Sequence, residues 1–301
     1  MEYPLVSVVL CTYNTAKYIE SAINSVLSQT YNNFELIIWD DGSTDNTKEI
    51  VESYHDKRLR YYYHENTGLG MSLRLACDIV KGKYIARMDS DDVCLPERLE
   101  KEVVYMEEHD DCVLVSSAVY YIDENDKLLG RSFPCSEDGI IKSLLSKASN
   151  MIVHPMSMIR YEAYRKAGGY LPIRKSQDVL FWSRLAKQGK FYNISSPLGN
   201  YRLLNSSLDH SINPYRKVLM ELLVKMVNDE VVSDTDIELY NNVFVYSKKY
   251  IKKNPKETAI LKKNTLEEFF YSLLSPVIGN KRSEKLIVFV KNIYFKRKLH
   301  I

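Results

Sequence analysis

The sequence predicts an α/β domain with a mostly parallel sheet and helices on both faces, followed by a helical C-terminal region. Over about the first two hundred residues, apolar runs alternate with segments whose apolar residues recur at helical spacing. Polar residues follow most of these runs directly. After about residue 214 only helical spacing remains. Such alternation is typical of parallel sheets, which bind ligands at the carboxyl ends of their strands.

The first element is the apolar run LVSVVLC at 5–11, which predicts a strand buried on both faces. It ends at Thr12, Tyr13 and Asn14. A helix follows, and the run FELIIW at 34–39 completes a β-α-β unit. The same pattern then predicts a helix near 47–54, a strand at 58–64, a helix after Gly70, a strand at 83–88, a helix introduced by Pro96 and a strand at 112–122.

The pattern weakens between 123 and 150, which predicts a mobile loop over the site. Order returns with a strand at 152–160, a helix, a glycine turn at 168–170, an apolar helix and a strand before Tyr201 and Arg202. A boundary near 205–214 divides the chain into a first domain at 1–210 and a helical, basic region at 211–301.

Composition is that of an ordinary globular protein, with 45% hydrophobic and 27% charged residues. Five widely spaced cysteines predict neither a disulfide framework nor a zinc site, and free thiols suit a reducing cytoplasm. The start of the chain is typical of a strand rather than a leader peptide, and no apolar run is long enough to predict a membrane span. We therefore expect a cytoplasmic protein that is soluble or peripheral.

Two strand-to-helix junctions carry candidate binding residues. The strand at 34–39 runs into DDGSTDNT, where Asp41 either caps local backbone or accepts a hydrogen bond from a nucleobase or ribose. The later segment ENTGLGMSLRLA carries Arg74, which is either a surface charge or a partner for a diphosphate. Each junction alone is weak evidence, because caps and glycine turns are common without a ligand.

The strongest local signal is RMDSDD at 87–92, which places three aspartates directly after a strand. Such crowding is unfavourable unless a cation or oriented donors compensate the charge. Asp89 and Asp91 point to one side of an extended chain, and carboxylate ligands suit Mg²⁺ or Mn²⁺. The alternative is a solvated acidic loop. Asp92 is interpreted as a helix-start residue ahead of Pro96.

These segments resemble the family 2 glycosyltransferases, which have the GT-A fold. The resemblance covers about residues 4–205 and rests on ordered blocks: VSVVLCTYN, LIIWDDGSTDNT, ENTGLGMSLRLA, YIARMDSDDVCLPERLE, HPMSMIRYEAYRKAGGY and QDVLFWSRLAKQG. It implies a nucleotide-sugar donor, a UDP-sugar by preference, and transfer with inversion at the anomeric carbon. It also implies a glycan or lipid-linked glycan acceptor in cell-surface polysaccharide synthesis, and no nucleic-acid partner.

The resemblance also assigns roles. The donor nucleotide would be bound by Thr12, Tyr13, Asn14, Asp41, Arg74, Asp89 and Ser90. Asp89 would contact the ribose, and Asp91 would ligate a divalent Mn²⁺ or Mg²⁺ ion. His210 follows a YR-x-H-like element that can approach the metal or the diphosphate.

Inversion in one step requires a general base near the acceptor hydroxyl. The Gln177-Asp178 pair matches the family's Glu-Asp pair, so Asp178 is the candidate base. Its structural alternative is a carboxylate stabilised at a helix N-terminus. Gln177 replaces the commoner glutamate and removes one negative charge beside the base. His154 is expected to shape the acceptor side or to pack, and Trp182 to pack in the core.

The basic part of the chain is its tail. From Ile212 onward there are 17 basic and 10 acidic residues, against 24 and 29 before it. The tail EKLIVFVKNIYFKRKLHI is either a core helix with a basic end or an amphipathic helix on an anionic membrane, and membrane contact is slightly favoured.

Three other functions deserve weight. A sugar-phosphate nucleotidyltransferase would carry a glycine-rich basic loop after the first strand, whereas CTYNTAKYIES is poor in glycine. A processive synthase would carry membrane spans and a Q-x-x-R-W block. A catalytically silent nucleotide-sugar or glycan-binding module is the alternative that Gln177 makes conceivable.

Overall fold

The structure is a computed structural model that describes residues 4–204, 216–229 and 231–242. Its first half is a regular alternation of strands and helices. Each strand is rich in buried apolar residues, which favours burial on both faces of a sheet. The elements are β1 (Val6–Thr12), α1 (Ile19–Leu27), β2 (Phe34–Asp40), α2 (Thr47–Glu52), β3 (Leu59–Tyr63), α3 (Leu69–Asp78) and β4 (Tyr84–Asp89).

The second half is less regular. Its elements are β5 (Val93–Cys94), α4 (Arg98–Glu108), β6 (Cys112–Ile122), β7 (Leu128–Arg131), α5 (Asp138–Leu145), β8 (Met158–Arg160), α6 (Tyr161–Lys166), α7 (Gln177–Leu185), β9 (Lys190–Arg202) and α8 (Arg216–Asn228). A 3₁₀ turn covers His154–Met156, and residues 234–242 are helical.

Two expectations for this half were wrong in detail. The segment 123–150 is not a continuous loop, because β7 pairs with β6 and α5 buries Ile141 and Leu145. The strand expected at 152–160 is reduced to the three residues of β8, since Pro155 lies in the 3₁₀ turn before it.

Within the described residues the sheet contains nine strands, eight of them in the order β3-β2-β1-β4-β8-β6-β9-β5, with β7 beside β6. The pairs among β1 to β4 are parallel, as is the pair of β6 with β9. The pairs of β8 with β4 and β6, of β5 with β9 and of β7 with β6 are antiparallel. The predicted α/β fold is therefore confirmed, with its parallel character concentrated in the N-terminal half.

The sheet cannot be flat. In its order, β4 and β5 are separated by four strand spacings, or about 19 Å. In the chain, Val93 follows Asp89 by four residues, which span at most about 14 Å. The sheet must therefore curl into a half-barrel that brings β5 back towards the end of β4. The short turn at residues 90–92 closes this curl.

Helices cover both faces, as predicted. On one face, α3, α6, α7 and α8 pack against Ile85 and its neighbours, with Leu223 of α8 in the same buried cluster. On the other face, α1, α2 and α4 pack against Ala86 and Met88. Alternate residues of β4 thus point to opposite sides, which directs Arg87 and Asp89 towards the face of α7. Within the described residues, the helices are too short or too polar to cross a bilayer.

Candidate active site

The carboxyl ends of β1 and β2 are braced against each other. Thr12 O accepts a hydrogen bond from Asp41 N at 2.9 Å. Asn14 has a φ of 54°, in the left-handed region that asparagine tolerates. Its N donates to Ser43 Oγ at 2.9 Å, and its Oδ1 accepts from Thr44 N at 2.7 Å. Tyr13 between them is 50% exposed. These loops form a rigid rim with one aromatic side chain open to solvent.

Asp41 is buried at the same edge, and its carboxylate holds the loop before α3. Its Oδ1 accepts from Thr67 N at 2.8 Å, and its Oδ2 accepts from Gly68 N at 2.9 Å. Carboxylate oxygens have further lone pairs, so these bonds leave acceptor capacity for a ligand. Asp41 is therefore not a solvated cap of its own turn, because it is buried and binds backbone of a distant loop. Its role towards a nucleotide stays a prediction.

Arg74 lies on α3 and is partly buried. Its Nη1 is 3.5 Å from Tyr170 O, at the outer limit for a hydrogen bond. Tyr170 therefore holds the guanidinium only weakly, and it could turn towards an anion.

The acidic turn after β4, residues 89–92, gathers three carboxylates. Asp89, Asp91 and Asp92 each offer an oxygen, and these oxygens lie within 4.8 Å of one another. Burial first, and then the charge of Asp89, raise the pKa of Asp91 to about 6. The same causes raise the pKa of Asp92 well above its ordinary value. Ser90 is buried in the turn.

Asp92 does not start a helix, contrary to the sequence interpretation. Helix α4 begins only at Arg98, because β5 intervenes. Asp92 is 1% exposed, and its Oδ2 has no hydrogen-bond partner within the described part of the chain. A buried carboxylate oxygen without a partner is costly. Three converging carboxylates, one with an orphaned oxygen, are a donor set that fits a hard divalent cation.

Arg202, at the end of β9, donates hydrogen bonds to this turn and to a second one. Its backbone N donates to Asp92 Oδ1 at 2.8 Å and its Nε to Asp91 O at 2.8 Å. Its Nη1 donates to Asp123 O at 3.0 Å, and its Nη2 to Asp126 Oδ1 at 2.7 Å. The side chain thereby joins the acidic turn to the turn between β6 and β7.

A residue that sequence reasoning missed, Arg87, lies two positions before Asp89. It is 2% exposed, and its Nη2 is ion-paired with Asp89 Oδ1. The signal was present in the sequence: an arginine inside an otherwise apolar, buried strand requires a partner.

Asp178 lies in the first turn of α7 and is partly buried. Its Oδ2 accepts from Asn150 Nδ2 at 3.0 Å. Burial raises its pKa, while the N–H of Val179, the charge of Arg87 and the Asn150 bond act in the opposite direction. A carboxylate with a raised pKa that solvent can still reach is suited to proton transfer. Gln177 begins the same helix.

His154 and Trp182 both pack against Tyr170. His154 Nε2 is 2.8 Å from Tyr170 Oη, and its ring meets Trp182 edge-on at 5.5 Å between centroids. Burial, and then the charge of Arg87, hold the pKa of His154 well below its ordinary value, so the ring is neutral. Trp182 is fully buried, which confirms core packing. The predicted metal approach of His210 lies outside the described residues.

Comparison with known proteins gives matches over more than half of the chain. The family model described as Glycosyl transferase family 2 matches residues 7–168. An uncharacterized glycosyltransferase of Methanocaldococcus jannaschii is 39% identical over 212 residues, covering 68% of this chain and 73% of that protein. The O-antigen biosynthesis glycosyltransferase WbnJ of Escherichia coli is 33% identical over 219 residues, covering 70% and 84% respectively.

Two solved structures share the fold. Staphylococcus aureus TarS 1-349 in complex with UDP-GlcNAc has a TM-score of 0.60 at 22% identity, covering 90% of this chain and 82% of that one. A mannosyltransferase of Pyrobaculum calidifontis in complex with GDP-Man and Mn²⁺ has a TM-score of 0.53 at 15% identity, covering 99% and 88% respectively. At these identities the likeness concerns the fold.

Proposed function

This chain belongs to glycosyltransferase family 2, and from that premise we propose that it moves a sugar from a nucleoside-diphosphate donor to a hydroxyl of a glycan acceptor with inversion. The observation that carries the proposal is the acidic turn at the carboxyl end of β4, whose three carboxylates converge, with that of Asp92 buried, at the same sheet edge as the rim formed by β1 and β2. A separate carboxylate, Asp178, is available for the proton.

The donor side is proposed to consist of two parts. The nucleotide is held by Thr12, Tyr13, Asn14, Asp41 and Arg74. The role of Arg74 is supported by its partial burial and by its long, weak contact with Tyr170 O, which leaves the guanidinium available to an anion. Asp89 and Ser90 complete the donor contacts.

Asp91 is the proposed ligand of Mn²⁺ or Mg²⁺, with Asp92 close by and with His210 as a further ligand from outside the described residues. A divalent ion there would offset negative charge on the departing diphosphate. Divalent metal use within the fold is represented by the mannosyltransferase complex with Mn²⁺.

The chemical step is proposed to use Asp178 as the general base. The acceptor oxygen forms a bond to the anomeric carbon as the bond from that carbon to the diphosphate oxygen breaks. The hydroxyl proton goes to the Asp178 carboxylate, and the nucleoside diphosphate leaves with the bonding electrons. The residue before this base, Gln177, is uncharged. The Asp178 carboxylate is oriented by the hydrogen bond from Asn150.

The substrates are proposed from the family and its members. TarS binds UDP-GlcNAc and WbnJ acts in O-antigen biosynthesis, which supports a UDP-sugar donor and a cell-surface polysaccharide or lipid-linked glycan acceptor for this chain. The transferase domain is proposed to be residues 1–210, and 211–301 a helical, basic region. We propose a cytoplasmic location, with the basic tail on the inner face of the plasma membrane.

The deciding experiment is differential scanning fluorimetry with a panel of nucleotide sugars, with and without Mn²⁺. We expect a rise in melting temperature with one donor class that depends on the ion, followed by transfer of that sugar to an acceptor. Absence of any donor- or ion-dependent shift would contradict the proposal. Liposome sedimentation of the full chain against a chain ending near Gly279 tests the membrane contact, and equal binding by both would refute it.

A further inference from the structure

Arg87 is fixed in the floor of the site by main-chain contacts from three directions. It lies on β4, paired with β1 on one side. Its N donates to Ser157 O at 2.8 Å, and its O accepts from Arg98 Nη2 at 2.7 Å. The alternation of β4 puts its side chain on the same face as Asp89, towards α7. Its guanidinium therefore starts from a rigid point in the sheet.

The hydrogen-bonding groups of this guanidinium are only partly satisfied. Its Nη2 is paired with Asp89, while its Nε and Nη1 are buried and have no hydrogen-bond partner in the described ranges. A buried cation needs a counter-charge, and buried N–H groups without a partner cost free energy. Packing alone gives no reason for an arginine here, since an apolar side chain would avoid both costs.

The field of Arg87 extends to both sides of the site. On the donor side its Nη2 is ion-paired with the Asp89 carboxylate. On the α7 side its charge acts to lower the pKa of Asp178. Within the described part of the chain, Tyr170 and Tyr240 also interact with Asp178, and burial raises the pKa of each. His154, which contacts Tyr170, is kept neutral because burial lowers its pKa. Arg87 is thus a permanent positive charge that acts on Asp89 and on Asp178.

We propose that Arg87 is a positioning residue that serves Asp89 and Asp178 together, orienting the donor-side carboxylate and keeping the facing carboxylate ionised. The inference rests on the proposed function, in which Asp178 takes the proton. When the donor binds to the Asp89 carboxylate, that carboxylate offsets less of the positive charge of Arg87. The guanidinium then favours the ionised form of Asp178 more strongly. Binding on the donor side thereby prepares the base, and by reciprocity an ionised base favours donor binding.

The test compares Arg87→Met with Arg184→Met in the full-length chain. Arg184 is a matched control, because it is a partly buried arginine on α7 that donates to the carbonyls of Ala167 and Gly169 rather than to a carboxylate. The readout is the pKa of the Asp178 carboxyl by ¹³C NMR of aspartate-labelled protein, with Asp178→Asn to assign its signal.

We expect Arg87→Met to raise the Asp178 pKa by on the order of one unit or more, because an opposing charge is removed. Arg87→Lys should keep most of the wild-type value, and Arg184→Met all of it. A wild-type pKa in folded Arg87→Met would overturn the inference. If Arg87→Met does not fold, Arg87→Gln, which keeps polar contacts without charge, decides by the same criterion.

The pH dependence of transfer adds a second readout. Loss of the Arg87 charge should move the acidic limb of kcat/KM to higher pH, so that activity falls more at pH 6 than at pH 8. A merely structural role would lower activity equally at both and would contradict the inference. An inactive wild-type protein whose Asp178 pKa still depends on Arg87 would refute the proposed function and leave this inference standing.

Discussion

The backbone N–H of Arg202 donates to Asp92 Oδ1 at 2.8 Å, which joins two residues 110 positions apart in the chain. Its guanidinium continues the link through Asp91 O and through the 123–126 turn. The geometry of the acidic turn therefore depends on β9 as well as on β4.

Arg202→Met should loosen the turn. The main-chain bond to Asp92 survives, but three side-chain bonds from a buried guanidinium are lost. We expect the free energy of unfolding to fall by about 2 to 4 kcal/mol and Mn²⁺ affinity to fall with it. Urea unfolding and calorimetric Mn²⁺ titration measure the two effects. Arg131→Met is the control, since Arg131 is exposed and makes one bond to Ser195 O; equal effects of both variants would contradict the clamp.

Asp178→Asn should abolish proton acceptance while leaving the donor side intact. We expect transfer to fall by about 10² to 10⁴-fold, with nucleoside-diphosphate affinity unchanged within a factor of about two. Initial rates and calorimetry provide the measurements. The control is Asp111→Asn, which removes an exposed carboxylate paired with Lys190. Retained activity in Asp178→Asn would rule out this base.

The metal-free protein should become more stable as the pH falls from 7 to 5. Burial and Asp89 raise the pKa of Asp91 to about 6 in the folded state, above its unfolded value. The folded state then binds more protons, so this contribution is fully present below the unfolded pKa and is lost as pH rises through about 6.

Asp91→Asn removes this penalty. The metal-free variant should exceed the wild type at pH 7 by no more than about 3 kcal/mol, with the gap closing near pH 4. Urea unfolding at several pH values in the presence of a chelator measures it. A gap that is independent of pH would disprove the assignment to Asp91.

Gly70→Ala should destabilise the fold where α3 approaches the segment before α7. A Cβ on Gly70 would lie 2.6 Å from Ile173 O and 2.8 Å from Leu171 O, both main-chain atoms. We expect a loss of about 1 to 3 kcal/mol. Gly139→Ala in α5 meets nothing within 4 Å and should be neutral or stabilising by up to about 1 kcal/mol. Thermal unfolding of both variants measures the contrast, and equal melting temperatures would refute it.

The elements that were predicted well are strands with a clear run of apolar residues in the sequence. Strands β1, β2 and β4 are apolar and buried on both faces, and the observed bounds differ from the prediction by about one residue. A strand was expected where β8 lies, but its shortness and the antiparallel pairing of β8 and β5 could not be predicted. Short strands leave no periodicity, and their pairing is decided by residues far away in the chain.

The site divides in the same way. Asp89 and Asp91 were predicted together because they are neighbours in the sequence, and the structure brings their carboxylates together. The buried state of Asp92 and the clamp by Arg202 depend on strand register and on the curl of the sheet. Sequence spacing carries no information about those distances.

The curl has a consequence for how this enzyme can vary. Residues 90–92 both close the half-barrel and carry the carboxylates, so an insertion there would open the seam and spread the ligands in one event. The turn between β6 and β7 holds none of these carboxylates, but Arg202 binds Asp123 O and Asp126 Oδ1 in it, so added residues there must leave those two bonds in place. Changes in chain length are therefore expected outside residues 90–92, with the seam kept at its present length.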